Sequence, residues 1–171
     1  MAVQQAELFD EIDEQATRQA VRDFFFDDGF NKRTFSHILR KAGSGDIKSP
    51  SLSADGGFGG SGGNHNEDAF IAHTEYSRAL NAVYEAINNC LSEESRVILR
   101  NRFVKREQVE DVKELLHISS NKSWHKAEKY ACYEFSETIE TAIAKYQVEE
   151  LFPTFTILKK SSDLTFLKKG I

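Results

Sequence analysis

The stretch Val109 to Ala131, VEDVKELLHISSNKSWHKAEKYA, decides how the chain is read. Val109, Val112, Leu115 and Leu116 recur at helical spacing, and Ile118 lies just beyond them, where it can plug the groove to a following helix. The residues His117 to Ser119 break the pattern, and Ser119 or Ser120 is a natural N-cap for a second helix. In that helix Trp124, Ala127, Tyr130 or Ala131, and Phe135 fall at steps of three and four, which marks an inward face. The leading, opposite face carries Asn121, Lys122, Ser123, His125, Lys126 and Lys129. A helix that enters a major groove needs such a face, with donors at its first turn for base edges and cations behind them for phosphates. A solvated face of an ordinary helix hairpin is polar too, so the pattern alone leaves both readings open.

Working outward, the charge is uneven. The chain of 171 residues has a net charge of -5, with 40% apolar and 29% charged residues. Residues 1 to 30 hold 8 acids and 2 bases, whereas residues 96 to 131 hold 9 Lys/Arg against 5 Asp/Glu. A local excess, not the total, decides where a polyanion can dock. No uncharged apolar run nears the ~18 residues of a membrane span. The start, MAVQQAELFDEID, lacks a basic region followed by an apolar one, so a secretory signal is not expected. Cys90 and Cys132 are too few for a disulfide framework and have no zinc-ligand spacing. The expectation is a reduced, cytoplasmic protein.

Upstream, the residues from Asp10 to Gly29 show a helical stripe of Ile12, Ala16, Ala20 or Val21, and Phe24 or Phe25. NKRTFSHILRKAG groups Phe35, Ile38, Leu39 and Ala42 and stops at Gly43, so an N-terminal helical segment is expected over residues 1–42, its two helices pairing as a hairpin. Residues 43–66 contain 8 of the 10 glycines and no apolar periodicity, the signature of a flexible Gly/Ser-rich linker. Its GGFGGSGG is no phosphate loop: no Lys-Ser/Thr follows it and no strand precedes it.

A helix of about 37 Å is predicted from Glu67 to Leu91, at 1.5 Å per residue. Its seam of Ala69, His73, Tyr76, Leu80, Val83, Ile87 and Cys90 packs either on the N-terminal helices or, through Ala69, Tyr76, Leu80, Val83 and Ile87, on a second copy in a homodimer. Ser92, followed by Glu93 and Glu94, starts the next helix, which turns Val97, Ile98, Leu99 and Phe103 inward. Its other side and exit are basic, with Arg96, Arg100, Arg102, Lys105 and Arg106. The long helix and the two-helix module together make a unit over residues 67–146. In the tail, 147–171, two alternating runs around TFTILKK and DLTFLKK flank Ser161-Ser162, which predicts a small β-hairpin. The fold class expected is therefore all-α, with that hairpin appended.

The order of signals in residues 91 to 137, LSEESRVILRNRFVKREQVEDVKELLHISSNKSWHKAEKYACYEFSE, resembles region 4 of sigma-70-type factors, a helix-turn-helix. There an aliphatic helix with an Arg ends in an Arg-aromatic pair, matched here by Arg102-Phe103. A helix ending in Leu-Gly-Ile-Ser follows, matched by Leu116-His117-Ile118-Ser119, and then the recognition helix, whose later alanine corresponds to Ala127 or Ala131. The whole layout is similar to the ArpU family of phage-encoded transcriptional regulators. Their opening Asp-x-x-x-Thr-x-x-x-Val-x-x-Phe is echoed by Asp13, Thr17, Val21 and Phe24, and their Ala-x-x-x-Phe ending by Ala131 and Phe135. The likeness spans about residues 10 to 140. Two positions depart from it. His117 stands where Gly is usual, at a cost on the order of 1 kcal/mol if its φ is positive. Lys113 replaces a small residue, and it fits only with its methylene stem along the helix interface and its ammonium reaching water.

The resemblance implies a sequence-specific, DNA-binding regulator in a bacterial host, phage or prophage encoded, acting at promoters with host RNA polymerase. Ser120, Asn121, Lys122 and Ser123 are the candidates for base reading. His125, Lys126, Lys129, Arg102, Lys105 and Arg106 are those for phosphate binding. Two other classes remain open: a protein-interaction module, an inhibitor or adaptor of a host protein, and a phage DNA-packaging small subunit. No nucleophile-base set, paired carboxylates or histidine spacing suggests an enzyme, a metal or a cofactor.

Overall fold

The computed structural model describes residues 12–43 and 65–159, all helices and connections. Helix α1 runs Glu14–Phe26, α2 Phe35–Gly43, α3 His65–Asn89, α4 Glu93–Val97, α5 Val109–Leu115 and α6 Asn121–Tyr146. Helix α4 continues into a π-helical segment, Ile98–Val104, and a 3-10 turn, Glu149–Leu151, follows α6. The protein is all-α among the described residues. No helix among them is long and apolar enough to cross a membrane.

Local chemistry places the helix starts. The Asp13 carboxylate accepts the Ala16 N–H at 2.9 Å and opens α1 at Glu14, which leaves Ile12, the first residue of the apolar stripe, outside the helix. Ser92 accepts the Ser95 N–H and opens α4. Arg106, His117 and Gln147 have positive φ, and each ends a helical segment. At His117 the Ile118 N–H reaches the Lys113 carbonyl and the His117 N–H that of Glu114, the paired bonds of a Schellman stop.

The core is built around phenylalanines. Phe24, Phe25, Phe35, Phe103, Phe135 and Phe155 are fully buried, with ring centroids 5.2 Å apart for Phe25–Phe135 and 5.1 Å for Phe24–Phe155. One interior thus joins α1, α2, the π-helical segment, α6 and the tail. Helix α3 runs antiparallel to α6: Glu85 meets Lys145 near the end of α6, while Leu91 and Ser92, just past the end of α3, donate their N–H groups to Glu134, about three turns earlier in α6.

Several expectations need correction. Of the seam proposed for a homodimer, Val83 and Ile87 are buried inside the chain's own core and Tyr76 and Leu80 are packed against it, because α2 and α6 cover α3; the side chain of Ala69 lies outside what is described. Leu115 and Leu39 are exposed, since each lies about 100° around its helix from a buried or half-buried neighbour, Leu116 or Ile38. Gly43 belongs to α2 and His65 to α3, which shortens the linker to residues 44–64, outside the described residues. In the tail Val148, Phe152 and Phe155 are core residues, so 147–159 is no separate appendage. Its first predicted strand is extended chain with a single antiparallel bridge, Ile12 to Leu158; the second run and the Ser161-Ser162 turn lie outside the described residues, as do residues 1–11.

Candidate nucleic-acid interface

Helix α6 begins at Ser120, whose Oγ accepts the Ser123 N–H at 3.1 Å and donates to the Ser123 Oγ at 2.8 Å. Ser120 is the N-cap, so its acceptor is committed to the helix itself. Trp124 is buried, while Ile118 and Leu116 are half-buried against the core, which fixes the helix on the preceding turn. Asn121, Lys122, Ser123, His125 and Lys126 are all exposed, on the first two turns of α6.

Lys113 resolves differently from the expectation of an ammonium in water. It is 7% exposed, and its Nζ donates to both Glu110 oxygens, the nearer at 3.0 Å, and to the Asn121 Oδ1 at 3.0 Å. The stem lies in the interface, and the charge is satisfied within the protein because two acceptors converge on it. As a consequence the Asn121 side chain is anchored through its oxygen, leaving its amide donors on the other side.

The phosphate candidates divide by what already holds them. Lys129 forms an ion pair with Glu14 of α1. The Arg106 guanidinium grips Asp28 through two bonds, at 2.6 and 2.7 Å, and also donates to the Phe25 carbonyl and the Ser36 hydroxyl. Hydrogen bonds from Arg106 and then Ser36 hold the Asp28 carboxyl well below the usual carboxylate range. Arg106 is thus a tie between α1, α2 and the π-helical exit. Arg102 donates to the Glu107 carbonyl at 2.9 Å and lies 4.9 Å from the centre of the Phe26 ring. Lys105 is largely exposed, with Glu107 at 4.0 Å.

Three side chains of this neighbourhood had no role in the sequence reading. Glu128 faces inward from α6, only 2% exposed, and pairs with Arg18 and Arg22 of α1. An i, i+4 pair of arginines on an amphipathic helix is visible in the sequence, but the carboxylate it meets lies more than a hundred residues away. Elsewhere, burial raises the thiol of Cys90 to about 11 and pushes that of Cys132 higher still, so both are poor nucleophiles at neutral pH. Among the described residues no group of His, Cys, Asp and Glu is arranged to hold a metal ion. No protein-family model, curated protein or solved structure matches the chain.

Proposed function

We propose that the protein is a sequence-specific DNA-binding regulator of the ArpU type, phage or prophage encoded, in which α5 and α6 act as a helix-turn-helix and α6 enters the major groove. The observation that carries this reading is the exposed front of α6. Asn121, Lys122, Ser123, His125 and Lys126 project into solvent from one rigid helix whose opposite side, at Trp124, is locked into the core. Donors on a rigid first turn suit base edges, and cations on the next turn suit the flanking phosphates. Asn121 is oriented by Lys113, Ser120 caps the helix, and among the described residues Ser123 bonds to Ser120 while the Lys122 side chain is exposed. Action at promoters with host RNA polymerase follows from the sigma-like resemblance and belongs to the same proposal.

The test is enrichment of bound fragments from a random DNA pool, followed by sequencing. A defined motif is the expected result; a protein-interaction module yields none. On the enriched site Lys122→Ala is expected to weaken binding by about 1–3 kcal/mol and to relax the choice of base at one position. Equal binding by parent and variant across all single-base changes would remove Lys122 from the reading face.

A further inference from the structure

Four guanidiniums meet where α1 passes α6 and the π-helical segment. The centres of Arg22, Arg102 and Arg106 lie 5.4, 4.9 and 5.9 Å from the middle of one ring, that of Phe26, and Arg18 shares Glu128 with Arg22. Among the described residues two carboxylates pair with these four cations. Glu128 is divided between Arg18 and Arg22, and Asp28 is taken by Arg106. The Glu107 carboxylate faces Lys105, so among the described residues Arg102 has a backbone carbonyl and no carboxylate, and its buried Nε has no hydrogen-bond partner there. Like charges this close repel, and Arg22 and Arg102 keep forks to spare. Such a cluster suits an anion with several oxygens, for which a planar guanidinium is the matching donor.

We propose that Arg22 of the N-terminal helix, with Arg102 beside it on the Phe26 ring, is a seat for a DNA backbone phosphate. The proposal rests on the reading of α6 as the groove helix and deepens it. An α-helix with its side chains, about 10–12 Å across, fills a major groove about 12 Å wide, so groups one side-chain length beyond its flank face the sugar-phosphate wall. Arg22 is held against the flank of α6 by its bond to Glu128, which lies about 40° around the helix from the buried Trp124 and about 60° from the exposed His125. Its side chain remains 33% exposed, enough to reach an outside oxygen. Arg102 reaches the Glu107 carbonyl, two residues before α5, so it stands near the start of the partner helix while Arg22 stands against α6, and the Phe26 ring joins the two. The N-terminal helix is then part of the DNA-binding surface and not only its support.

The test uses the full chain, a short mixed-sequence duplex and, separately, sodium tripolyphosphate. Arg22→Gln is expected to lower the slope of log affinity against log salt by about one unit and to weaken binding about eight-fold at ~0.1 M salt, for all sequences alike, while Arg22→Lys keeps most of the slope. Unchanged slope and affinity in a folded Arg22→Gln variant would overturn the proposal. If that variant fails to fold, the Nε–H signals of Arg22 and Arg102 in the parent decide by NMR. Movement on adding duplex supports the seat, and no movement overturns it. A parent that ignores duplex but shifts both signals with tripolyphosphate keeps the phosphate seat and loses the DNA reading of α6; a parent that does neither loses both.

Discussion

At the scale of single residues, His117 and Lys113 show how one side chain absorbs a departure from a pattern. His117 ends α5 with a φ of 56°, a left-handed conformation that Gly adopts at no steric cost. The side chain is exposed, and none of the hydrogen bonds or ion pairs among the described residues involves its ring. His117→Gly is therefore expected to raise stability by about 1 kcal/mol, measured by urea unfolding, with DNA binding unchanged. A loss of stability would mean that the imidazole makes a favourable contact that the turn geometry does not reveal. Lys113, in contrast, was legible only as an anomaly. Its spacing shows a lysine in an apolar interface, but the Glu110 and Asn121 oxygens that satisfy it converge only when α5 and α6 are packed.

At the scale of elements, the helix starts were readable because caps are local. Ser92 and Ser120 each accept an N–H three residues on, a bond that needs no distant partner. Ser120→Ala is expected to cost about 1 kcal/mol in thermal or chemical unfolding and to fray the first turn of α6, where Asn121 and Lys122 sit. Faster amide exchange confined to that turn is the accompanying sign, and an unchanged exchange pattern would argue against the cap's role. Less local features escaped the sequence. The widening of α4 into a π-helical segment, with the Lys105 N–H reaching back to the Arg100 carbonyl, changes which side Arg102 and Arg106 face, and no periodicity of apolar residues announces it. Likewise, helical spacing alone assigned Leu115 to the buried face, because a seven-residue helix offers too few positions to locate the stripe's edge.

At the scale of the whole molecule, α1 and the segment after α6 close the core together. Asp13 donates its N–H to the Ile157 carbonyl at 2.8 Å, and the buried Thr17 hydroxyl accepts the Ile157 N–H at 3.1 Å, so α1 and the tail are stitched together. Phe155 lies between Phe24 and Phe135, edge-on to both. Phe155→Ala is expected to destabilise the fold by about 3–5 kcal/mol, and a chain ending before Phe152 to fare worse, as followed by thermal unfolding. A cost under 1 kcal/mol would show that the tail is a peripheral strap after all. The ion pairs of Glu128 with Arg18 and Arg22 link α1 to α6 as well, beside the core that both helices share.

The sequence by itself determined what depends on neighbours within a few residues: the helical class, the cap at Ser92, a break at His117 to Ser119 with a serine cap after it, and the polar front that begins at Asn121; the structure chose Ser120 over Ser119 and gave His117 its left-handed φ. Each of these is set by backbone hydrogen bonds or by periodicity along one helix. Only the tertiary structure decided which apolar faces meet, and so turned the α3 seam inward, drew Phe152 and Phe155 into the core and gathered Arg18, Arg22, Arg102 and Arg106 around Phe26 and Glu128. Contacts between residues far apart in the chain arise from packing a single shared interior, and no local pattern encodes which partner a buried side chain will find.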